Sequence, residues 1–398
     1  MNANQPRTRV VTACVCLGLL WVSGCAALRG PRKPVFVPPG VPEIPEEAAR
    51  YENIRIVLAK NTERFKPRTT NHRAKAYALP EERFVGRLAL GGESVFTVHN
   101  GRLSFNGRPA GADRIRLLAE PGQYLVVDDM RYRGQIDLRI HASGNGLLVV
   151  NYVPLEQYLR GVVPNEVPHD WPAEALKAQA VAARTFAVYK MSGRAQAPYD
   201  LDASALSQVY RGVDSERPRT DAAVRATAGV VAVHRGKFIA AFYHSNCGGH
   251  TADVRDVWGG DISYLHGTRC GHCDEGPHHA WAVVFARDDL TRLLRKHNVP
   301  VGEVERVEAA GRSRDDRVTL VRITHRDGVE TMPSAAFRMA VGPDRLKSTA
   351  FRVLDRGGEF LFKGKGWGHG VGLCQEGAAG MAGLGYAYPD ILANYYPG

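Results

Sequence analysis

The apolar and polar positions change period near residue 170, from short alternating runs to a long small-residue stretch. Ile54-Arg55-Ile56-Val57-Leu58 and the run from Phe84 to Leu90 are bounded by Gly, Pro and Asn, as short strands are. Gln135-Ile136-Asp137-Leu138-Arg139-Ile140 alternates strictly, the period-2 signature of a strand with one buried face. Ser143-Gly144-Asn145-Gly146 supplies a tight turn before Leu147-Leu148-Val149-Val150, so these segments predict an antiparallel pair.

Trp171-Pro172-Ala173-Glu174 predicts a helix start. Pro172 sits near the first helical position, where a missing N–H costs nothing, and Glu174 in the first turn suits the positive helix end. Ala175, Ala178, Ala180, Ala182 and Ala183 extend this helix to about Lys190 and allow close packing. Further on, Val230 to Tyr243 predicts a hairpin turning at Arg235-Gly236, Val318 to Thr324 a strand, and Ser334 to Val341 a short helix. From Gly364 a glycine-rich loop precedes a last helix. No repeat period stands out, and the expected class is α+β.

With 398 residues the chain is long enough for two or three units. A hydrophobic content of 44% with 23% charged residues fits a globular protein and excludes a disordered or multi-span one. The net charge of +11 comes from 52 basic against 41 acidic residues spread along the chain. Without a basic run interleaved with aromatics there is no nucleic-acid footprint. A diffusely basic surface suits a carboxylate-bearing polymer such as a cell wall, and serves solubility equally well.

The N-terminus reads as an export signal over residues 1–24. Arg7 and Arg9 precede an apolar stretch from Val10 to Val22, too short for a stable membrane span. Val22-Ser23-Gly24-Cys25 resembles a bacterial lipobox, which implies lipidation at Cys25; the alternative is an ordinary signal with an incidental cysteine. Six prolines between Pro31 and Pro45 favour a stiff tether over residues 25–50. Ala26 carries no acidic retention signal, so in a diderm cell the expectation is an outer-membrane lipoprotein facing the periplasm.

The candidate chemistry centres on Tyr158-Leu159-Arg160-Gly161-Val162-Val163-Pro164-Asn165-Glu166-Val167-Pro168. Glu166 lies between two prolines in an apolar setting that disfavours the ionised carboxyl and suits a general acid. Composition alone favours the plainer reading, an exposed loop glutamate. No metalloprotease, P-loop or dinucleotide motif competes with it.

The run from Asn151 to Tyr189 closely resembles the SpoIID/LytB family of peptidoglycan-active proteins. The resemblance continues through Ser207 to Gly212, through Tyr243-His244-Ser245-Asn246-Cys247-Gly248-Gly249-His250-Thr251, through Gly366 to Ala378, and through Ile391 to Gly398. It implies a SpoIID-like catalytic domain of mixed strands and helices over residues 135–398, preceded by a small antiparallel accessory β region over 51–134. It also implies that Glu166 is the catalytic residue of a lytic transglycosylase. Such an enzyme cuts the β-1,4 bond between N-acetylmuramic acid and N-acetylglucosamine without water. One carboxyl protonates the leaving oxygen and then deprotonates the muramoyl 6-hydroxyl, which closes to a 1,6-anhydro end. Hydrolytic glycosidases need two carboxyls. Asp170 and Glu174 are near, but Glu174 is accounted for in the first helical turn.

By the same resemblance Arg184 holds the glycan, pairing with its carboxylates; the alternative is an arginine on an exposed helical face. Gln208, Tyr210, Ser245 and His369 carry groups suited to N-acetyl and hydroxyl recognition, and the glycines around His369 allow close backbone approach to a ligand. Gln375 reads as structural or as a support behind the binding residues. Catalysis needs no cofactor. LytB-type relatives are described as amidase enhancers, which leaves a second reading: a glycan-binding partner of a cell-wall amidase, without turnover.

Four cysteines remain after Cys14, Cys16 and Cys25: Cys247, Cys270, Cys273 and Cys374. Cys270-Gly271-His272-Cys273 has the spacing of a metal knuckle or a redox pair, with His278 and His279 following. An even number in an exported protein also suits disulfides. Some family members bind zinc through an insertion after the Arg184 helix, but that loop is short here and holds no cysteine. The expectation is that the four cysteines gather at one place, as a structural zinc site or as two disulfides.

Overall fold

Strand Asn53–Thr62 lies between Leu147–Pro154, which it pairs with in antiparallel register, and the two-residue strand Leu201–Asp202. This arrangement belongs to a computed structural model that describes residues 9–12, 51–70, 74–89, 93–204 and 207–397. Cys25 and the Pro-rich tether fall outside the described residues. Of the expected export signal only Arg9–Thr12 is described, as a short strand beside Val230–His234. Among the described residues no helix is long and apolar enough to cross a membrane. Among the described residues strands and helices occur together without a closed barrel, as the α+β expectation required.

The chain divides into two compact units, residues 10–166 with 187–238, and residues 1–9 with 167–186 and 239–398. In the first, a seven-stranded sheet runs in the order Leu201–Asp202, Asn53–Thr62, Leu147–Pro154, Gln135–Ile140, Arg114–Leu118, Lys75–Ala78, Arg83–Arg87. The alternation read from the sequence is the burial pattern: Ile136 and Leu138 are fully buried, as are Ile54 and Ile56 on the first strand. The turn closes where expected, with His141 donating its N–H to the Gly146 carbonyl at 2.7 Å. Asp137 is wholly buried in this sheet, where Arg114 and Arg116 on the neighbouring strand donate to its carboxylate. A buried charge needs such partners.

Four strands from residues 51–134 thus belong to the same sheet as Gln135–Ile140 and Leu147–Pro154. The boundary expected at 134 cuts through that sheet, so the N-terminal β segment is no separate accessory module. The reading failed because the motifs start only at Asn151, whereas strand pairing joins residues distant in sequence.

Two short helices, Leu155–Arg160 and Val163–Glu166, follow the sheet. Neither is among the elements expected from the sequence, and the loop reading of Glu166 gives way to a turn of helix. Pro164 is tolerated because it sits in the first turn, where its missing N–H has no helical partner. Tyr158, Leu159, Val162 and Val163 are fully buried and anchor the segment.

The long helix spans Ala173–Ser192, two residues beyond the expected end. Ala178, Ala180, Ala182, Ala183 and Ala187 are all fully buried, so its small residues do mark a closely packed face. In the second unit, strand Tyr243–His244 runs parallel to Leu373–Cys374, and helices Gln375–Gly383 and Tyr388–Tyr395 end the chain.

Between these strands the chain builds a core of its own. Ala280–Ala286, Glu359–Lys365 and Phe351–Asp355 form one three-stranded sheet, and Val304–Arg312, Val318–His325 and Gly328–Pro333 another. Helices Arg287–Lys296 and Ser334–Val341 contribute Leu290, Leu294 and Phe337 to a cluster with Phe285, Ile323, Phe360 and Phe362. The first helix carries Leu290 and Leu294 one turn apart, with Asp288 and Asp289 in its first turn and Arg295 and Lys296 in its last, as the helix dipole favours. The expected single domain over 135–398 therefore contains an inserted α+β subdomain that the motifs bracket.

Candidate functional site

Glu166 ends the turn Val163–Glu166 and is half-buried. Its Oε1 accepts the backbone N–H of Val209 at 2.8 Å. The motif residues Gln208 and Tyr210 thus flank the residue that holds the carboxylate. Gln208 is fully buried, and its Oε1 accepts the Tyr158 hydroxyl at 3.0 Å. Tyr210 is buried too; its hydroxyl donates to Asn151 Oδ1 at 3.1 Å, and its ring lies 4.9 Å from that of Tyr158. Burial pushes the Tyr158 and Tyr210 hydroxyls above the usual tyrosine range, so both stay protonated donors. Gly161 completes the packing: a Cβ there would lie 2.7 Å from the Tyr210 ring.

Expected as direct glycan contacts, Gln208 and Tyr210 are therefore occupied inside the protein. They shape the wall behind Glu166. Asn151, which also donates to the Arg133 and Gln135 carbonyls, is a fully buried node that the sequence reading passed over. Its signal was available as a lone amide within the apolar run from Leu147 to Val153.

In the second unit Arg184 is 1% exposed, among the largest fully buried side chains, which rules out the exposed-face reading. Gln375 Nε2 donates to Gln179 on the same helix at 3.3 Å. Glu174 binds Lys177 at 2.6 Å and accepts the Tyr388 N–H at 2.9 Å, so its carboxylate is engaged structurally.

The C-terminal motif packs on the segment from Phe242 to Cys247. Asn246 and Trp367 exchange backbone hydrogen bonds at 3.1 and 2.8 Å. Gly368 and Gly370 have φ of +113° and +87°, and a Cβ on them would lie 2.7 Å from His244 and from Arg317, respectively. The close approach these glycines permit is thus to the protein itself. His369 stands among rings, 4.9 Å from Trp258, 5.5 Å from His244 and 6.2 Å from Phe242. Burial, reinforced by the Arg338 charge, pulls its pKa down to about 4, leaving a neutral imidazole whose Nδ1 accepts the Val371 N–H at 3.1 Å. His244 is also held neutral, chiefly by burial.

Ser245 Oγ lies 3.4 Å from Glu376 Oε1, and Glu376 Oε2 accepts the Asn246 amide at 2.6 Å. Glu376, buried between them, is the centre of this network. Gly276 faces it so closely that a Cβ would lie 1.8 Å from Oε2.

The four cysteines gather at one place as expected, all buried and none joined in a disulfide. Their sulfurs lie within 4.8 Å of one another, with Cys247 and Cys273 at 3.6 Å. Cys374 caps helix Gln375–Gly383, and its sulfur accepts the N–H groups of Cys247 at 3.2 Å and Gly377 at 3.3 Å. Hydrogen bonds from Cys247 draw the Cys270 and Cys273 thiols below the usual range, Cys273 to about 6, whereas burial drives Cys374 well above it.

Beside Cys247 a groove of about 810 Å³ is lined by Trp281, Arg312, Arg317, Arg352, Lys363 and Lys365, with Asp315 and Asp316 at one side. Arg352 and Lys363 are directly opposed across two antiparallel strands. Like charges so placed weaken a sheet.

Residues 143–234 match the family described as "Stage II sporulation protein" (SpoIID). An uncharacterized protein of Brachyspira hyodysenteriae is 32% identical over 351 residues, covering 87% of this chain and 93% of its own. The chain belongs to the SpoIID/LytB family. The "Amidase enhancer" of Bacillus subtilis is 27% identical over 78% of this chain, which spans half of that protein. The "Stage II sporulation protein D" of Bacillus amyloliquefaciens is 28% identical over 63% of this chain and 74% of its own. Residues 271–372 match a domain of unknown function (DUF8618), with nearly the limits of the inserted subdomain.

Proposed function

We propose that this protein acts on peptidoglycan in the cell envelope, as a lytic transglycosylase with Glu166 as its acid and base. The observation that carries the reading is the Val209 N–H on Glu166 Oε1, which orients a half-buried carboxyl on a wall of buried aromatic and amide groups. A fixed acid within reach of a glycosidic oxygen is the geometric requirement for general acid catalysis. The engagement of Glu174 supports a one-carboxyl mechanism. Glu166 would protonate the oxygen leaving the N-acetylmuramic acid carbon, then take the proton of the muramoyl 6-hydroxyl as that oxygen closes on the anomeric carbon. Proton and bond counts balance without water. The basic groove supports attraction to a carboxylate-bearing polymer. Export and anchoring through a lipidated Cys25 complete the proposal.

A second reading, a glycan-binding enhancer of a cell-wall amidase, is supported by the similarity to the Bacillus subtilis amidase enhancer and by the burial of Arg184, Gln208 and Tyr210. Digestion of purified glycan strands by the wild type and by Glu166→Gln separates the two. The enzyme reading expects anhydromuramoyl ends from the wild type alone. Equal cleavage by the variant would overturn the role of Glu166, and binding with stimulation of an amidase but no cleavage would establish the enhancer.

A further inference from the structure

The geometry points to a tetrathiolate zinc site, formed by Cys247, Cys270, Cys273 and Cys374, that clasps the base of the inserted subdomain. Zinc binds four thiolates in a tetrahedron with Zn–S bonds of about 2.3 Å, which sets neighbouring sulfurs about 3.8 Å apart. Here one pair stands at 3.6 Å and every pair lies within 4.8 Å. A disulfide requires about 2.05 Å between sulfurs, and none of the four is so paired. The remaining contacts are those a ligating sulfur receives: backbone N–H groups on Cys374 and the Tyr395 hydroxyl 3.0 Å from Cys270. Such outer contacts orient ligands and offset thiolate charge.

The placement of the four ligands gives the site its role. Cys270 and Cys273 stand where the chain enters the subdomain and Cys374 just after it leaves, while Cys247 belongs to the segment that meets both. The entry loop seats on helix Gln375–Gly383 through two glycines one turn apart. A Cβ on Gly377 would lie 2.6 Å from Cys270 Sγ, and one on Gly380 would lie 2.1 Å from the His272 carbonyl oxygen. Arg317, from within the subdomain, donates to the Cys247 and His250 carbonyls at 2.5 and 3.1 Å and so ties the subdomain to the same point. A metal there closes a loop of about a hundred residues, which free chain ends would close only at an entropic cost. Binding exchanges thiol protons for the cation and releases them to solvent, with no change of oxidation state.

The test is metal analysis of the full chain purified without chelators or affinity metals. The expected result is one zinc per chain that survives gel filtration, with the thiols of Cys247, Cys270, Cys273 and Cys374, followed by peptide mapping, reacting only after a mercurial displaces the metal. Zinc content should fall by at least tenfold in Cys270→Ser and Cys273→Ser, with new proteolytic cleavage near residues 270–280. Immediate reaction of those same four thiols, with no metal present, would overturn the proposal. So would two disulfides in the non-reduced mass, or iron in place of zinc. Because the wild type gives the deciding readout, a variant that fails to fold leaves the outcome intact. Glycan cleavage does not enter the measurement, so failure of the transglycosylase reading would be seen separately.

Discussion

The Val209 backbone N–H points at Glu166 Oε1 from 2.8 Å, so the segment carrying Gln208 and Tyr210 also holds the candidate acid. Two substitutions separate chemistry from support. Glu166→Gln keeps an acceptor for Val209 and should change folding stability by less than about 1 kcal/mol while abolishing anhydromuramoyl products. Glu166→Ala leaves that N–H without its partner and should cost about 1–3 kcal/mol. Urea unfolding of both variants beside a glycan-digestion assay checks this, and equal stability would mean that the bond contributes nothing to the fold.

Tyr210→Phe tests whether this motif residue supports or binds. Its hydroxyl donates to Asn151, which is fully buried. Removing it should lower stability by about 1–3 kcal/mol and leave glycan affinity within twofold once the protein is folded. A large loss of affinity at unchanged stability would return Tyr210 to the substrate side.

Much of the candidate site was legible because its residues sit in dense local motifs; what surrounds them was not. Composition alone makes Glu166 a loop residue, because a four-residue helical turn between two prolines is too short to leave a period. The burial of Arg184 could not be read from an Ala-rich helix, since both faces carry small residues. Gln135–Ile140 and its turn were plain from alternation alone. The pairing of Asn53–Thr62 was hidden by distance along the chain, and the inserted subdomain by its lack of motif residues.

The Glu376 network predicts a sharp cost for a small change. Gly276→Ala would place a methyl group 1.8 Å from Glu376 Oε2. The carboxylate must then leave Asn246, or the loop must shift. A loss of about 1–3 kcal/mol, as for other overpacked sites, should appear in thermal or urea unfolding. No measurable loss would show that the loop relaxes freely.

Acid should weaken the fold through His369. Its folded pKa of about 4 lies below the unfolded value of about 6.5. Above about pH 6.5 both states are neutral and the histidine adds no pH dependence. As pH falls from there to about 4, the unfolded chain takes up a proton that the native one refuses, so stability drops across that window. The Tm loss between pH 7 and pH 5 should be smaller in His369→Gln; an identical loss would exclude this residue as a source.

The opposed Arg352 and Lys363 line the basic groove and give the proposed attraction to a carboxylate-bearing polymer its test. Arg352→Glu with Lys363→Glu should weaken co-sedimentation with peptidoglycan by about tenfold at low salt and much less near 1 M, where charges are screened within about 3 Å. Unchanged, salt-independent sedimentation would place binding elsewhere.

Strand Asn53–Thr62 has a consequence for how the chain is made. During vectorial synthesis it emerges long before Leu147–Pro154 or Leu201–Asp202 exists, and so waits with its hydrogen-bonding edges unpaired. Such edges invite pairing with other chains, and sheets closed by distant segments form slowly. Until its partners emerge, this strand stays open to such pairing.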